Sequence, residues 1–186
     1  MKKLMTFACA VALAAVAQAG VVKWSATMLD ASPAGAYKST TTYIAYLFDA
    51  GVSDLATVTG YLTKKEGPDW ASFLAAAVDS NTATYNTSKE SMSFTTKGYG
   101  NFSQGDTFSG FMVVLDADST ANAKNFLVAT KGTDEVLTTT AFGKTGDKTM
   151  AWGVQTGNTW TAVPEPTSGL LMLLGFAGLA LRRRRA

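Results

Sequence analysis

The 186-residue chain contains no histidine, which excludes Ser-His-Asp catalysis and histidine-ligated zinc. Cysteine is nearly absent as well. The single thiol is Cys9, and it falls inside a segment that reads as removed on export. An exported chain without Cys9 has no disulfide, no thiolate metal site and no cysteine nucleophile. Its stability must come from an apolar core. Arginine is missing from residues 20–162, where 10 lysines and 13 acidic residues leave a charge of −3. The formal charge of +2 for the whole chain and its pI of about 8.6 therefore belong to the two ends. A mildly acidic surface without arginine is poorly suited to phosphate contacts, so nucleic acid is not an expected partner.

What is present begins with an export signal. Lys2 and Lys3 form a positive n-region, Leu4 to Val16 an apolar h-region, and Ala17-Gln18-Ala19 places small residues at −3 and −1. Residues 1–19 are thus expected to be a signal peptide, with signal peptidase cutting between Ala19 and Gly20. Thirteen apolar residues are too few for a comfortable permanent span. Cys9 lies too early in the h-region to mark a lipoprotein.

The composition shifts again at Val163. Val163-Pro164-Glu165-Pro166 is followed by Thr167-Ser168, an uncharged apolar run from Gly169 to Leu181, four arginines and Ala186. Pro164 and Pro166 have fixed φ and no amide donor, so residues 163–168 read as an extended linker. Residues 169–181 are expected to form a single transmembrane helix of about 20 Å, lengthened at its end by snorkelling arginine stems. Arg182, Arg183, Arg184 and Arg185 form a stop-transfer signal within the basic end 182–186, held in the cytoplasm by the positive-inside rule. The preceding domain is then left outside.

This order of Pro164-Glu165-Pro166, short apolar helix and terminal arginine cluster resembles the PEP-CTERM sorting signal of Gram-negative bacteria. The resemblance implies recognition by an exosortase, a membrane-bound, cysteine transpeptidase-like enzyme. Such an enzyme would cleave near the motif and release or transfer the protein to the cell surface or extracellular matrix. The expected itinerary is an intermediate anchored in the inner membrane, then a surface location. Family members are associated with exopolysaccharide-producing, biofilm-forming bacteria, which makes exopolysaccharide an expected partner. The resemblance covers residues 163–186 only and assigns no activity to the domain.

Between these signals, residues 20–162 carry 18 of the 20 aromatic residues, enough for one ordinary domain with its own core. Val22, Trp24, Ala26 and Met28 alternate with polar or smaller residues, the pattern of a half-buried strand. Thr40 to Phe48 and Phe108 to Leu115 are apolar on both faces and read as central strands. Met92 and Phe94 alternate with serines, and Phe126 to Thr130 and Met150 to Val154 predict shorter strands. Turn residues at 32–35, 97–100, 104–106 and 143–147 separate these segments. Trp70, Phe73, Leu74, Ala77 and Val78 instead share one helical face, with Asp69 as cap after Pro68. A second, weaker helical pattern runs from Val52 to Leu62. The expected fold is all-β, an antiparallel, jelly-roll-like β-sandwich with one or two short helices inserted between about Ser53 and Val78.

Candidate chemistry is sparse. Gly143-Lys144-Thr145 matches the end of a phosphate loop, but the first glycine of that pattern would fall on Thr138, so the segment reads as a turn. Asp116 and Asp118 end a strong strand and form a weak calcium candidate without the glycine and distal glutamate of an EF-hand. Trp24, Trp70, Trp152 and Trp160 are candidates for sugar stacking if they share an exposed face, and otherwise for core packing. No cofactor is expected. The functional expectation is a non-enzymatic surface protein with a structural or interaction role, the alternative being a carbohydrate-binding module.

Overall fold

The computed structural model describes residues 18–29, 42–86, 88, 91–153 and 160–165. Most of the signal peptide, the turn at 32–35, Pro166, the apolar run 169–181 and Arg182 to Arg185 lie outside them. Among the described residues there are nine strands and two helices, and no helix is long and apolar enough to cross a membrane.

Strand β1 (Gln18–Leu29) follows the expected alternation, with Val22, Trp24 and Ala26 buried. It begins two residues ahead of Gly20, so the predicted mature terminus is already in register, opposite Phe102. A Cβ at Gly20 would collide with the Gly146 carbonyl, which makes glycine the residue that fits there. Strand β2 (Thr42–Asp49) is buried on both faces, as its sequence predicted. Helices α1 (Leu55–Leu62) and α2 (Trp70–Ala76) follow. Each is capped by an aspartate, Asp54 accepting from Thr57 N and Asp69 from Ser72 N.

The predicted face of α2 extends too far. The helix ends at Ala76, Leu74 is 42% exposed, and Ala77 opens strand β3 (Ala77–Asn86). Sequence reading missed β3 because Ala, Asp, Ser and Asn are weak strand formers. Tertiary pairing with β2, from Thr42↔Thr84 to Phe48↔Ala77, overrides that preference.

Strand β4 (Ser91–Ser103) runs through the turn expected at 97–100. Its glycines bend the strand without ending it. Opposite the step from Gly20 to Val22, β4 advances from Phe102 to Tyr99, one residue more, and Gly100 absorbs it with φ +70°. Strands β5 (Ser109–Leu115), β6 (Asn125–Val128), β7 (Leu137–Thr138), β8 (Lys148–Gly153) and β9 (Thr161–Ala162) complete the set.

The strands join in one path, β8-β1-β4-β3-β2-β5-β6-β9, with β7 paired to β5. The β-rich class and the two helices agree with expectation; the antiparallel two-sheet sandwich does not. One curled mixed sheet replaces it, a half-barrel in which β1 and β8 run parallel. A parallel pair needs a long connection, and nearly the whole domain supplies it. Among the described residues β3 and β4 are in register only at Tyr85↔Met92 and Asn86↔Ser91. Beyond those pairs, side chains bridge the strands. Asn81 Nδ2 donates to Thr95 O at 2.6 Å, and Lys97 Nζ donates to Ser80 O at 2.6 Å.

Two cores result. Inside the curl, Trp24, Tyr43, Leu47, Phe94, Met112 and Trp152 pack with residues from both arms. On the outer face of β2 and β5, Phe48, Phe111 and Val113 pack with Val58 and Leu62 of α1 and Phe73 of α2. Phe48 and Phe111 are register partners with stacked rings 5.1 Å apart. Strands β2 and β5 therefore serve both cores, which is why their sequences are apolar on both faces.

Candidate functional site at the C-terminal junction

The most developed polar arrangement lies where the domain meets its tail. Asp116 follows β5 directly. Its Oδ1 accepts from Lys124 N at 2.8 Å and Asn125 N at 2.9 Å, and its Oδ2 accepts from Asn125 Nδ2 at 2.7 Å. The backbone closes the loop with Asp116 N to Asn125 O at 3.1 Å. The calcium candidate thus has its carboxylate engaged by three N–H donors that fasten loop 117–124. Asp118 is set apart, accepting only a long contact of 3.4 Å from Asn122 Nδ2. No group of three or more acidic, histidine or cysteine side chains gathers among the described residues. The field of Asp116 also reaches Tyr43. Burial first, then the Asp116 charge, push that phenol far above its ordinary range.

Loop 117–124 positions the start of the tail. Strand β9 pairs with β6 through Asn125↔Ala162 and Phe126↔Thr161. The next residue, Val163, donates its N–H to Lys124 O at 2.8 Å and is only 7% exposed, within the same core cluster as Phe126 and Phe73. Pro164 has no N–H with which to extend the ladder, so the pairing stops there. Pro164 and Glu165 then line a groove of ≈ 370 Å³ together with Pro68, Trp70 and residues 120–124. Sequence reading took Val163 as the first linker residue. The structure places it in the core, the last such residue among those described, and an apolar residue immediately before Pro-Glu-Pro was the only sequence signal.

The tryptophans divide into two pairs. Trp24 and Trp152 are buried, their indole N–H groups donating to Asp79 Oδ2 at 2.9 Å and Glu135 O at 3.1 Å. Trp70 is half-buried, edge-on to Phe73, and Trp160 is half-buried with its ring centroid 6.0 Å from that of Tyr43. The exposed large apolar side chains among the described residues are Val52, Leu74 and Val136, none of them aromatic. Gly143-Lys144-Thr145 lies in an exposed turn, away from any helix start.

One polar node had no sequence signal. Besides the Trp24 indole, the Asp79 carboxylate receives Lys97 Nζ at 2.5 Å and its neighbour Ser80 N at 2.9 Å. It joins three strands, β1, β3 and β4.

Among known families, the PEP-CTERM protein-sorting motif matches residues 162–185. No curated protein matches the chain, and no solved structure matches it. The matched motif implies an exported protein that an exosortase sorts to the cell surface. Its first residues, Ala162 and Val163, are the ones fastened to β6 and Lys124.

Proposed function

We propose that this chain is a non-enzymatic surface or extracellular-matrix protein. A signal peptidase trims it at Ala19–Gly20, the tail anchors it transiently in the inner membrane, and an exosortase then processes it. The observation that carries the reading is the sorting motif at residues 162–185, attached without a spacer to the last strand of a folded β domain. A structural role for the domain fits the way its polar side chains are used. Asp79, Asp116, Asp54 and Asp69 all accept hydrogen bonds that hold strands, a loop or helix ends. Sugar stacking is less well supported, because two of the four tryptophans are buried with their indole N–H groups engaged.

The test is C-terminal mass spectrometry of surface material from cells with and without the exosortase. Loss of the arginine cluster only when the enzyme is present is the expected result. An intact Arg185-Ala186 end in surface material from both would refute the processing.

A further inference from the structure

We infer that the domain clasps the start of its own sorting motif, and that the clasp opens before the exosortase processes the tail. The inference rests on the processing reading above and adds a step to it.

The clasp has three parts. Strand β9 adds Thr161 and Ala162 to the edge of β6. Val163 is sunk into the core on the helix side and bonded to Lys124 O. The carbonyl it uses belongs to a loop that the Asp116 carboxylate holds at Lys124 N and Asn125 N.

Enzymes that process peptides commonly bind the substrate extended, taking up its backbone N–H and C=O groups as an added strand. Here the backbone from Thr161 to Val163 is already committed to β6 and Lys124. The domain and the enzyme therefore compete for the same groups. Pro164, which is half-buried, and the exposed Glu165 line one groove with Trp70 and Pro68, so an enzyme reaching the motif approaches it beside the domain wall.

The chain leaves little slack. Residues 164–168 alone separate Val163 from the apolar run starting at Gly169, a reach of roughly 17 Å when fully extended. A membrane enzyme working within that distance meets the folded domain unless β9 lets go. A two-residue strand held by one buried side chain is small enough to open locally without unfolding the sheet.

A reversible lock tests this. Asn125 and Ala162 are register partners, next to the hydrogen-bonded Lys124–Val163 position, and such facing pairs have the Cα spacing a disulfide needs. The mature domain has no other thiol. The signal-cleaved chain, residues 20–186, carrying Asn125→Cys/Ala162→Cys is oxidised beforehand, freed of oxidant and incubated with membranes containing or lacking the exosortase, alongside wild type of the same span. The C-terminus is read by mass spectrometry over time.

The oxidised pair is expected to keep Arg185-Ala186 while wild type is processed beside it, and reduction should restore processing to within a few-fold of wild type. Val163→Ser, which gives up the buried anchor, should be processed roughly tenfold faster than wild type. Equal rates for the oxidised and reduced pair would overturn the clasp while leaving exosortase processing intact. Wild type unprocessed, or processed alike without the enzyme, would remove both readings.

Discussion

Asp79 is the residue on which the junction of β1, β3 and β4 can be tested most directly. Its carboxylate accepts from the indole of Trp24, which is 0% exposed, and from the ammonium of Lys97. Asp79→Ala leaves the buried indole N–H without that acceptor, a loss worth about 1–3 kcal/mol. The ion pair adds little. Lys97 has a side chain 44% exposed against 15% for Asp79, and pairs with one partner in solvent contribute about 0.2–1 kcal/mol. Lys97→Met, which also gives up the exposed Nζ bond to Ser80 O, should still cost less than Asp79→Ala. Asp79→Asn, which keeps an acceptor oxygen for the indole, should fall between them. For a domain of this size, 2 kcal/mol corresponds to a fall in Tm of roughly 4–8 °C. Urea unfolding followed by tryptophan fluorescence gives all three values, and a double-mutant cycle isolates the 79–97 term. If Asp79→Ala lies within about 0.5 kcal/mol of wild type, or Lys97→Met costs as much, the indole bond does not secure the junction and the reasoning fails.

Three further outcomes are expected. Gly110→Ala places a Cβ 2.6 Å from the Phe108 ring and 2.9 Å from the Phe48 carbonyl oxygen, so it should destabilise by about 1–3 kcal/mol; an unchanged urea midpoint would contradict the packing of β5 on β2. Asp69 is held at a pKa of about 2, below its ordinary 3.8, first by Lys64 and then by Ser72. A lowered folded value means that its contribution is complete above the ordinary value and disappears as pH falls from there toward 2. Asp69→Asn should accordingly flatten the dependence of Tm on pH between 4 and 2, and two parallel curves would argue against the cap. N-terminal sequencing of the exported protein should begin at Gly20, and a start inside β1 beyond Val22 would contradict the signal-peptide boundary.

Much of the fold was legible because it depends on local spacing. Alternation at Val22, Trp24 and Ala26, and double-faced apolar runs at Tyr43–Phe48 and Phe111–Leu115, reflect which faces meet a core. The Asp69 cap was legible because an aspartate immediately ahead of a helical stripe satisfies free N–H groups wherever it occurs. Strand β3 was not, since its composition opposes the conformation that pairing with β2 imposes. The bulge at Gly100 was taken for a turn because glycine signals a left-handed backbone in either setting. Asp116 was legible only as one of two alternating acids, because the donors that its carboxylate accepts from, Lys124 N, Asn125 N and Asn125 Nδ2, arrive from eight and nine residues away.

The sequence by itself determined the destination of this protein and the character of its domain. The sorting motif, the charge-poor apolar run and the arginine cluster act as a linear signal, so their order along the chain is sufficient. The absence of histidine, and of cysteine from residues 20–162, is equally independent of fold. Only the tertiary structure decided that β1 and β8 run parallel, that Asp79 joins β1, β3 and β4, and that Val163 belongs to the domain as much as to the tail. Each of these depends on groups far apart in sequence meeting in space, Lys124 with Val163 and Trp24 with Asp79. Periodicity reports which face of a segment is buried, and carries no record of what it is buried against.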